Sequence, residues 1–202
     1  MFTVYLVDDD PGVLKSLSRL LRAKSYNVKP YSSPQLFLEE HDEAIPGCAI
    51  LDVSMPDFNG LDIQEALITA SGSHRPILFL TGNGDVPTSV RAMKAGAIDF
   101  LTKPVKDQDL FEALSRAEAI DTEFRRLRSE LDVMRTKVQT LTPREREVLT
   151  HVVAGRLNKQ IAGALGTVEK TIKVHRSRVM EKLGVRTVAD LVRMAEKLNL
   201  SK

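Results

Sequence analysis

The stretch Phe2-Thr3-Val4-Tyr5-Leu6-Val7-Asp8-Asp9-Asp10 decides the fold, because it begins as a short β-rich strand and ends in three consecutive carboxylates. Outward from it the same pattern repeats. Strands are expected at Phe2 to Val7, Asn27 to Tyr31, Cys48 to Leu51, Ile77 to Leu80 and Ile98 to Leu101. Amphipathic helical runs lie between them at Gly12 to Lys24, Pro34 to Glu39, Leu61 to Thr69 and Val86 to Lys94, the last capped by Asp85 and stopped by Gly96. Strands alternating with helices imply an α/β fold, a five-stranded parallel sheet wrapped by helices on both faces. Such a sheet places its chemistry at the carboxyl ends of the strands.

Polar residues stand at those ends: Asp8-Asp9-Asp10 after the first strand, Asp52 after the third, Thr81 at the end of the fourth and Lys103-Pro104 after the fifth. Taken singly, each reads better as an ordinary structural or solvated loop residue. Together, carboxylates from neighbouring strand ends converge and repel, and a cation relieves the repulsion. A hard divalent ion, Mg²⁺, suits oxygen donors and bridges readily to phosphate. With such an ion one carboxylate can accept a phosphoryl group while an ammonium neutralises the phosphoryl oxygens. Asp52, alone before Val53-Ser54-Met55-Pro56, is the candidate acceptor. Gly82-Asn83-Gly84 lacks both the third glycine of a dinucleotide loop and the lysine of a P-loop, so it reads as a tight turn.

The totals divide the chain further. Of its 202 residues, 43% are hydrophobic and 28% charged, enough for one large or two small domains. No apolar run approaches the ~18 residues of a membrane span, and no basic leader precedes the first strand, so a cytoplasmic protein is expected. Cys48 is the single cysteine, which excludes an internal disulfide and a thiolate zinc site. Residues 1 to 120 hold 11 Lys and Arg against 17 Asp and Glu, a charge of −6, whereas residues 121 to 202 hold 18 against 10, a charge of +8. The basic half calls for a polyanion, nucleic acid or an acidic membrane surface.

From Asp107 no Gly or Pro intervenes before Pro143, so one long helix is expected. Along it Ile120, Phe124, Leu127, Leu131, Met134, Val138 and Leu141 recur at heptad spacing, a pattern for a coiled-coil seam or for a stripe packed on the chain's own domains. Thr142-Pro143-Arg144-Glu145 is a capping box that starts another helix. Short helices follow, at about Pro143 to Ala154, Lys159 to Leu165 and Val168 to Leu183, with Thr187 capping the last. On a wheel, Val168, Ile172, His175, Val179 and Leu183 fall within an arc of about 80° and read as core, while Glu169, Lys170, Lys173, Val174 and Ser177 form a separate free face. Arg176 and Arg178 flank that face, where long cations reach phosphates. A solvated charged face is the plain alternative. The turn at Gly166-Thr167 makes this segment the second helix of a helix-turn-helix. His175, without His or Cys neighbours, reads as core and not as a metal ligand.

Val7-Asp8-Asp9, Asp52 with Met55-Pro56 and Gly60, Thr81-Gly82 and Lys103-Pro104 together resemble the receiver domain of two-component response regulators, whose sheet is flavodoxin-like. Thr81-Gly82-Asn83-Gly84-Asp85-Val86-Pro87, Ala92-Met93-Lys94-Ala95-Gly96-Ala97 and Asp99-Phe100-Leu101 resemble the FixJ branch. Leu141-Thr142-Pro143-Arg144-Glu145, Asn158-Lys159-Gln160-Ile161-Ala162, Thr171-Ile172-Lys173-Val174-His175 and Lys182-Leu183-Gly184 resemble the NarL/LuxR-type DNA-binding domain. The resemblance implies a receiver over residues 1–118 and an all-α helix-turn-helix domain over 141–202; between them residues 119–140 are expected to be a helical linker, a coiled coil if the heptad stripe is a seam between copies. The resemblance also implies that Asp52 accepts phosphate from a histidine kinase, that Asp9, Asp52 and the Ser54 carbonyl ligate Mg²⁺, and that Asp8 contributes through water. Lys103 and Thr81 would bind the phosphoryl oxygens, Phe100 would be the switch aromatic, and Ser54 and Asn83 would tune the phosphate's lifetime. The Lys103-Pro104 bond is cis in most of the family. Asp10 lies one place beyond the usual acidic pair and reads as peripheral or exposed.

Lys170, Lys173, Val174 and Ser177 would face the major groove, and the final helix, from Val188, would help dimerise the DNA-bound form. The expected function is a phosphorylation-switched transcription factor, not an enzyme beyond chemistry at its own Asp52. Its partners would be a histidine kinase, promoter DNA and a second copy, with RNA polymerase as a further candidate and no membrane. Two rivals stand beside it: a binding module that ignores phosphate, and a Mg²⁺-dependent phosphohydrolase. The second lacks the acid usual two residues after its nucleophile, where Ser54 stands.

Overall fold

The computed structural model describes residues 1–56, 58–71, 74–82 and 86–200. The expected cap Asp85 and the turn residues Asn83 and Gly84 lie outside the described residues.

Strands β1 (Thr3–Val7), β3 (Gly47–Asp52) and β4 (Ile77–Thr81) are buried at every position. Continuous apolar runs of this kind belong to strands covered on both faces. Strands β2 (Asn27–Tyr31) and β5 (Asp99–Thr102) are only partly buried, and β2 carries Pro30, a residue sheets tolerate at their edges. The five strands form one parallel sheet in the order β2-β1-β3-β4-β5, the doubly wound order of a flavodoxin-like fold. The expected fold class is therefore the observed one. Strand β5 starts at Asp99, one residue later than expected, although the Ile98 N–H already donates to the Ile77 carbonyl at 2.7 Å.

Alternation along β1 sends side chains into two cores. Tyr5 and Val7 join Phe37 of helix α2 (Pro34–Glu40), Leu61, Ile63 and Leu67 of α3 (Gly60–Ser71) and Ala92 of α4 (Val86–Lys94). Val4 and Leu6 join Leu17 and Leu21 of α1 (Pro11–Ala23) and Leu110, Ala113, Leu114 and Ala117 of α5 (Asp107–Gln139). The buried stripe of α5 ends at Asp121, a carboxylate only 3% exposed. It accepts from the Gly47 N–H at 3.2 Å and from Arg125 Nε at 2.8 Å. The guanidinium of Arg125 in turn donates to the Glu43, Ala44 and Ile45 carbonyls at 2.9, 2.9 and 2.7 Å. Carbonyls of the loop before β3 thus clamp the helix where its apolar face runs out.

The chain forms two compact units, Met1–Arg125 and Arg126–Lys202, and α5 is one unbroken helix through the boundary. In the second unit helices α6 (Pro143–Val153), α7 (Asn158–Ala164), α8 (Glu169–Leu183) and α9 (Val188–Lys197) surround Val148, Leu149, Ile161, Ile172, Val179, Leu183 and Leu191. The capping box forms in full: Thr142 Oγ1 accepts from the Glu145 N–H, and the Glu145 carboxylate accepts from the Thr142 N–H. Gly166, with φ +63°, turns the chain between α7 and α8. Among the described residues no helix is long and apolar enough to cross a membrane.

The heptad residues meet different surroundings. Phe124 packs on His74 with ring centroids 4.3 Å apart and the planes tilted by 40°. Met134 and Val138 pack on the second unit's core, and Leu141 is part of it. Ile120 and Leu127 are each 45% exposed, and Leu131 is half-buried. An uninterrupted three-heptad seam is therefore not free for pairing, because Phe124 and the stretch from Met134 to Leu141 are used within their own units.

Candidate functional site

The ends of β1, β3, β4 and β5 deliver the pieces of the acidic site, and main-chain bonds beyond the regular ladder hold the pieces in register. The Asp8 N–H donates to the Tyr31 carbonyl at 3.1 Å, the Val53 N–H to Leu80 at 2.9 Å, and the Lys103 N–H to Thr81 at 2.7 Å. Asp8 is fully buried, Asp52 is 4% exposed and Thr81 1% exposed, whereas Asp9 and Ser54 are exposed. The Lys103 ammonium bridges Asp8 Oδ2 at 2.6 Å and Asp52 Oδ1 at 2.9 Å. Burial pushes the Asp8 carboxyl above its ordinary value against the hydrogen bond from Lys103. Burial acts to lower the Lys103 ammonium, but hydrogen bonds to Asp8 and Asp52 outweigh it, so its pKa is raised and the charge is held. The Lys103-Pro104 bond is cis.

Asp8, Asp9 and Asp52 each present a carboxylate oxygen within 4.8 Å of the others. Three carboxylates against one ammonium leave a formal charge of −2, carried by hard oxygen donors. That donor set fits a divalent cation of the Mg²⁺ or Ca²⁺ kind. Asp10 turns away from the site. Its side chain caps α1, accepting from the Gly12 N–H at 2.7 Å, while the Asp10 N–H donates to Asp8 Oδ1 at 3.0 Å. Phe100 is half-buried beside Phe79, ring centroids 6.0 Å apart. Gly60 meets the site from behind: a Cβ there would lie 2.4 Å from the Asp52 carbonyl oxygen and 3.0 Å from the Phe79 ring. The sequence motif includes this glycine without showing the reason, which is the close approach of α3 to the backbone of Asp52.

On α8, Ile172, Val179 and Leu183 are at most 2% exposed and His175 is half-buried. Lys170, Lys173, Val174, Ser177 and Arg178 are exposed along the free face. Two expectations need correction. Val168 is not core but 65% exposed, because it is the N-cap residue with extended backbone, φ −101° and ψ 153°, and the helical wheel does not govern it. Arg176 is not a free flanking cation but half-buried, its Nη1 donating to Asn158 Oδ1 at 2.6 Å and tying α8 to the first residue of α7. The Asp121–Arg125 clamp was not anticipated. Its signal was a carboxylate falling on the same helical arc as Leu110, Leu114 and Ala117, with a cation four residues on.

Residues 4–115 match the family described as the response regulator receiver domain, and residues 139–195 match the bacterial regulatory proteins of the luxR family. The chain is 43% identical over 195 residues to the response regulator protein TmoT of Ectopseudomonas mendocina, covering 96% of this chain and 88% of that protein. It is 39% identical over 199 residues to the transcriptional regulatory protein FixJ of Rhizobium meliloti, covering 96% and 95%. Among solved structures, the response regulator StyR superposes with a TM-score of 0.83 at 44% identity, covering 96% of this chain and 98% of that one. Full-length FixJ of B. japonicum superposes at 0.59 with 34% identity, covering 98% of each. With strand-end acids and lysine in one half and a helix-turn-helix in the other, the chain belongs to the two-component response regulators that join a receiver to a LuxR-type DNA-binding domain and regulate transcription.

Proposed function

We propose that Asp52 is the phosphoacceptor, that a histidine kinase is the donor, and that the acyl phosphate promotes self-association and promoter binding in the cytoplasm. The observation that carries this reading is the Lys103 ammonium 2.9 Å from Asp52 and 2.6 Å from Asp8, at the one cluster of three acids among the described residues. In the transfer an Asp52 carboxylate oxygen attacks phosphorus, a P–O bond forms, and the P–N bond to the kinase imidazole breaks with its electron pair leaving on nitrogen. Lys103 pairs with a phosphoryl oxygen, and the Thr81 hydroxyl donates to another. Asp9, Asp52 and the Ser54 carbonyl would hold Mg²⁺, with Asp8 acting through water; when bound, the ion supplies the positive charge that lets an anionic donor approach an anionic site.

The added charge draws on Lys103 and Thr81 and biases a two-state surface made by α4, β5 and α5, with Phe100 responding by packing alone. On α4, Val86, Val90 and Met93 are 73%, 44% and 46% exposed, an apolar face suited to a second copy. Ile120, Leu127 and Leu131 are the seam residues left for pairing. Lys170, Lys173, Val174 and Ser177 read the major groove, Arg178 reaches phosphate, and α9 pairs the DNA-bound domains. Arg176, held by Asn158, serves the groove by fixing α7 against α8.

The test is Asp52→Ala in the full chain. Labelling by acetyl phosphate and phosphate-stimulated DNA affinity are expected to vanish, with basal DNA binding kept. Stimulation that survives the substitution overturns the switch.

A further inference from the structure

Five described helices, α1, α2, α3, α6 and α9, begin with side-chain caps, Asp10, Ser33, Asn59, Thr142 and Thr187. The two helices of the helix-turn-helix do not. The N-cap residues of α7 and α8 are Leu157 and Val168; neither side chain caps its helix, and both are exposed, at 69% and 65%. A Ser, Thr, Asp or Asn in either place would satisfy an amide that an aliphatic residue cannot. At Val168 the chain therefore gives up a cap and also leaves an isopropyl group in water. It does so at the head of the helix whose exposed face carries Lys170, Lys173 and Val174. In a helix-turn-helix the first residues of this second helix approach base edges, whereas the first helix crosses the backbone. The basic face supplies attraction to the duplex, and the one apolar feature of the major-groove edge is the C5 methyl of thymine.

From this we infer that Val168 is a specificity-determining residue, its isopropyl group packing against a thymine C5 methyl in each half-site. The inference rests on the DNA-reading role proposed above. Leu157, the N-cap residue of the crossing helix, is an internal control: its side chain is equally exposed and makes no cap, although its N–H donates to Gln160 Oε1 at 2.8 Å, and it faces no base in this arrangement.

The experiment uses the full chain treated with acetyl phosphate. Selection from random duplex DNA first defines a preferred site; if no sequence is enriched, the DNA-reading role itself fails. Each thymine of the selected site is then replaced singly by deoxyuridine, which removes only the methyl. The wild type is expected to lose about threefold to tenfold in affinity at one thymine per half-site. Val168→Ala should bind the thymine site more weakly by a similar factor and bind thymine and deoxyuridine sites equally at that position, with its response at other thymines unchanged. Val168→Ser, which restores a capping side chain and so keeps the domain folded, should lose the same discrimination. Leu157→Ala should retain it. The inference is overturned if Val168→Ala and Val168→Ser still distinguish thymine from deoxyuridine there. It is equally overturned if Leu157→Ala erases the distinction, since the effect would then belong to the domain's integrity and not to one side chain.

Discussion

A methyl group on residue 60 has no room, since it would sit 2.4 Å from the Asp52 carbonyl oxygen and 3.0 Å from the Phe79 ring, backbone and core that cannot yield independently. Gly60→Ala is expected to cost about 1 to 3 kcal/mol by overpacking and to slow acetyl-phosphate labelling, because the strain falls on the acceptor's own peptide. Urea unfolding and a labelling time course check the two parts; wild-type values in both would show that α3 retreats without disturbing Asp52. At this scale the sequence reveals position better than partnership. The acids at strand ends are legible because a strand's end can be read from its apolar run. The Arg176–Asn158 bond is not, because it spans 18 residues between two helices. The Asp121–Arg125 clamp hides for another reason: its acceptors are the Glu43, Ala44 and Ile45 carbonyls, which any residue type would offer.

Helices in this chain are specified mostly at their ends, and α6 shows the energetic link most plainly. Glu145, 3% exposed, closes the capping box and also accepts from Lys182 Nζ at 2.6 Å, while Lys182 reaches the Thr140 carbonyl at 3.2 Å. The Lys182 hydrogen bond, helped by the Thr142 N–H, holds its pKa below the ordinary 4.5. A lowered folded-state pKa means that the unfolded chain binds this proton more readily. The contribution is therefore complete above pH 4.5 and is lost as pH falls through the depressed value. Glu145→Gln should lower the second unit's thermal midpoint at neutral pH and flatten its decline in acid. Thermal unfolding followed by circular dichroism from neutral to acidic pH compares the two, and parallel curves would show that the Glu145–Lys182 pair does not couple to folding. The capping box is readable as a four-residue pattern. Val168 is misread because a wheel assumes helical dihedrals, which its N-cap backbone does not have.

For the whole molecule, α5 is where periodicity and packing compete. Heptad spacing alone predicts a seam for a second copy, yet Phe124 is spent on His74, and Met134 and Val138 on the second core. Spacing cannot tell an intramolecular partner from an intermolecular one, so only Ile120, Leu127 and Leu131 of the stripe remain available. Leu127→Ala with Leu131→Ala is expected to weaken self-association of the phosphorylated chain severalfold in sedimentation, a loss of the order expected when a few aliphatic side chains leave an interface, with folding intact. An unchanged mass distribution would assign association to the α4 face alone. Cys48 lies fully buried in β3, and burial pushes its thiol pKa far up, so it offers no thiolate to an alkylating reagent. A fluorophore or spin label will thus couple selectively to any cysteine introduced at an exposed site, and probe distances can be followed in otherwise native protein without first deleting the resident sulfur.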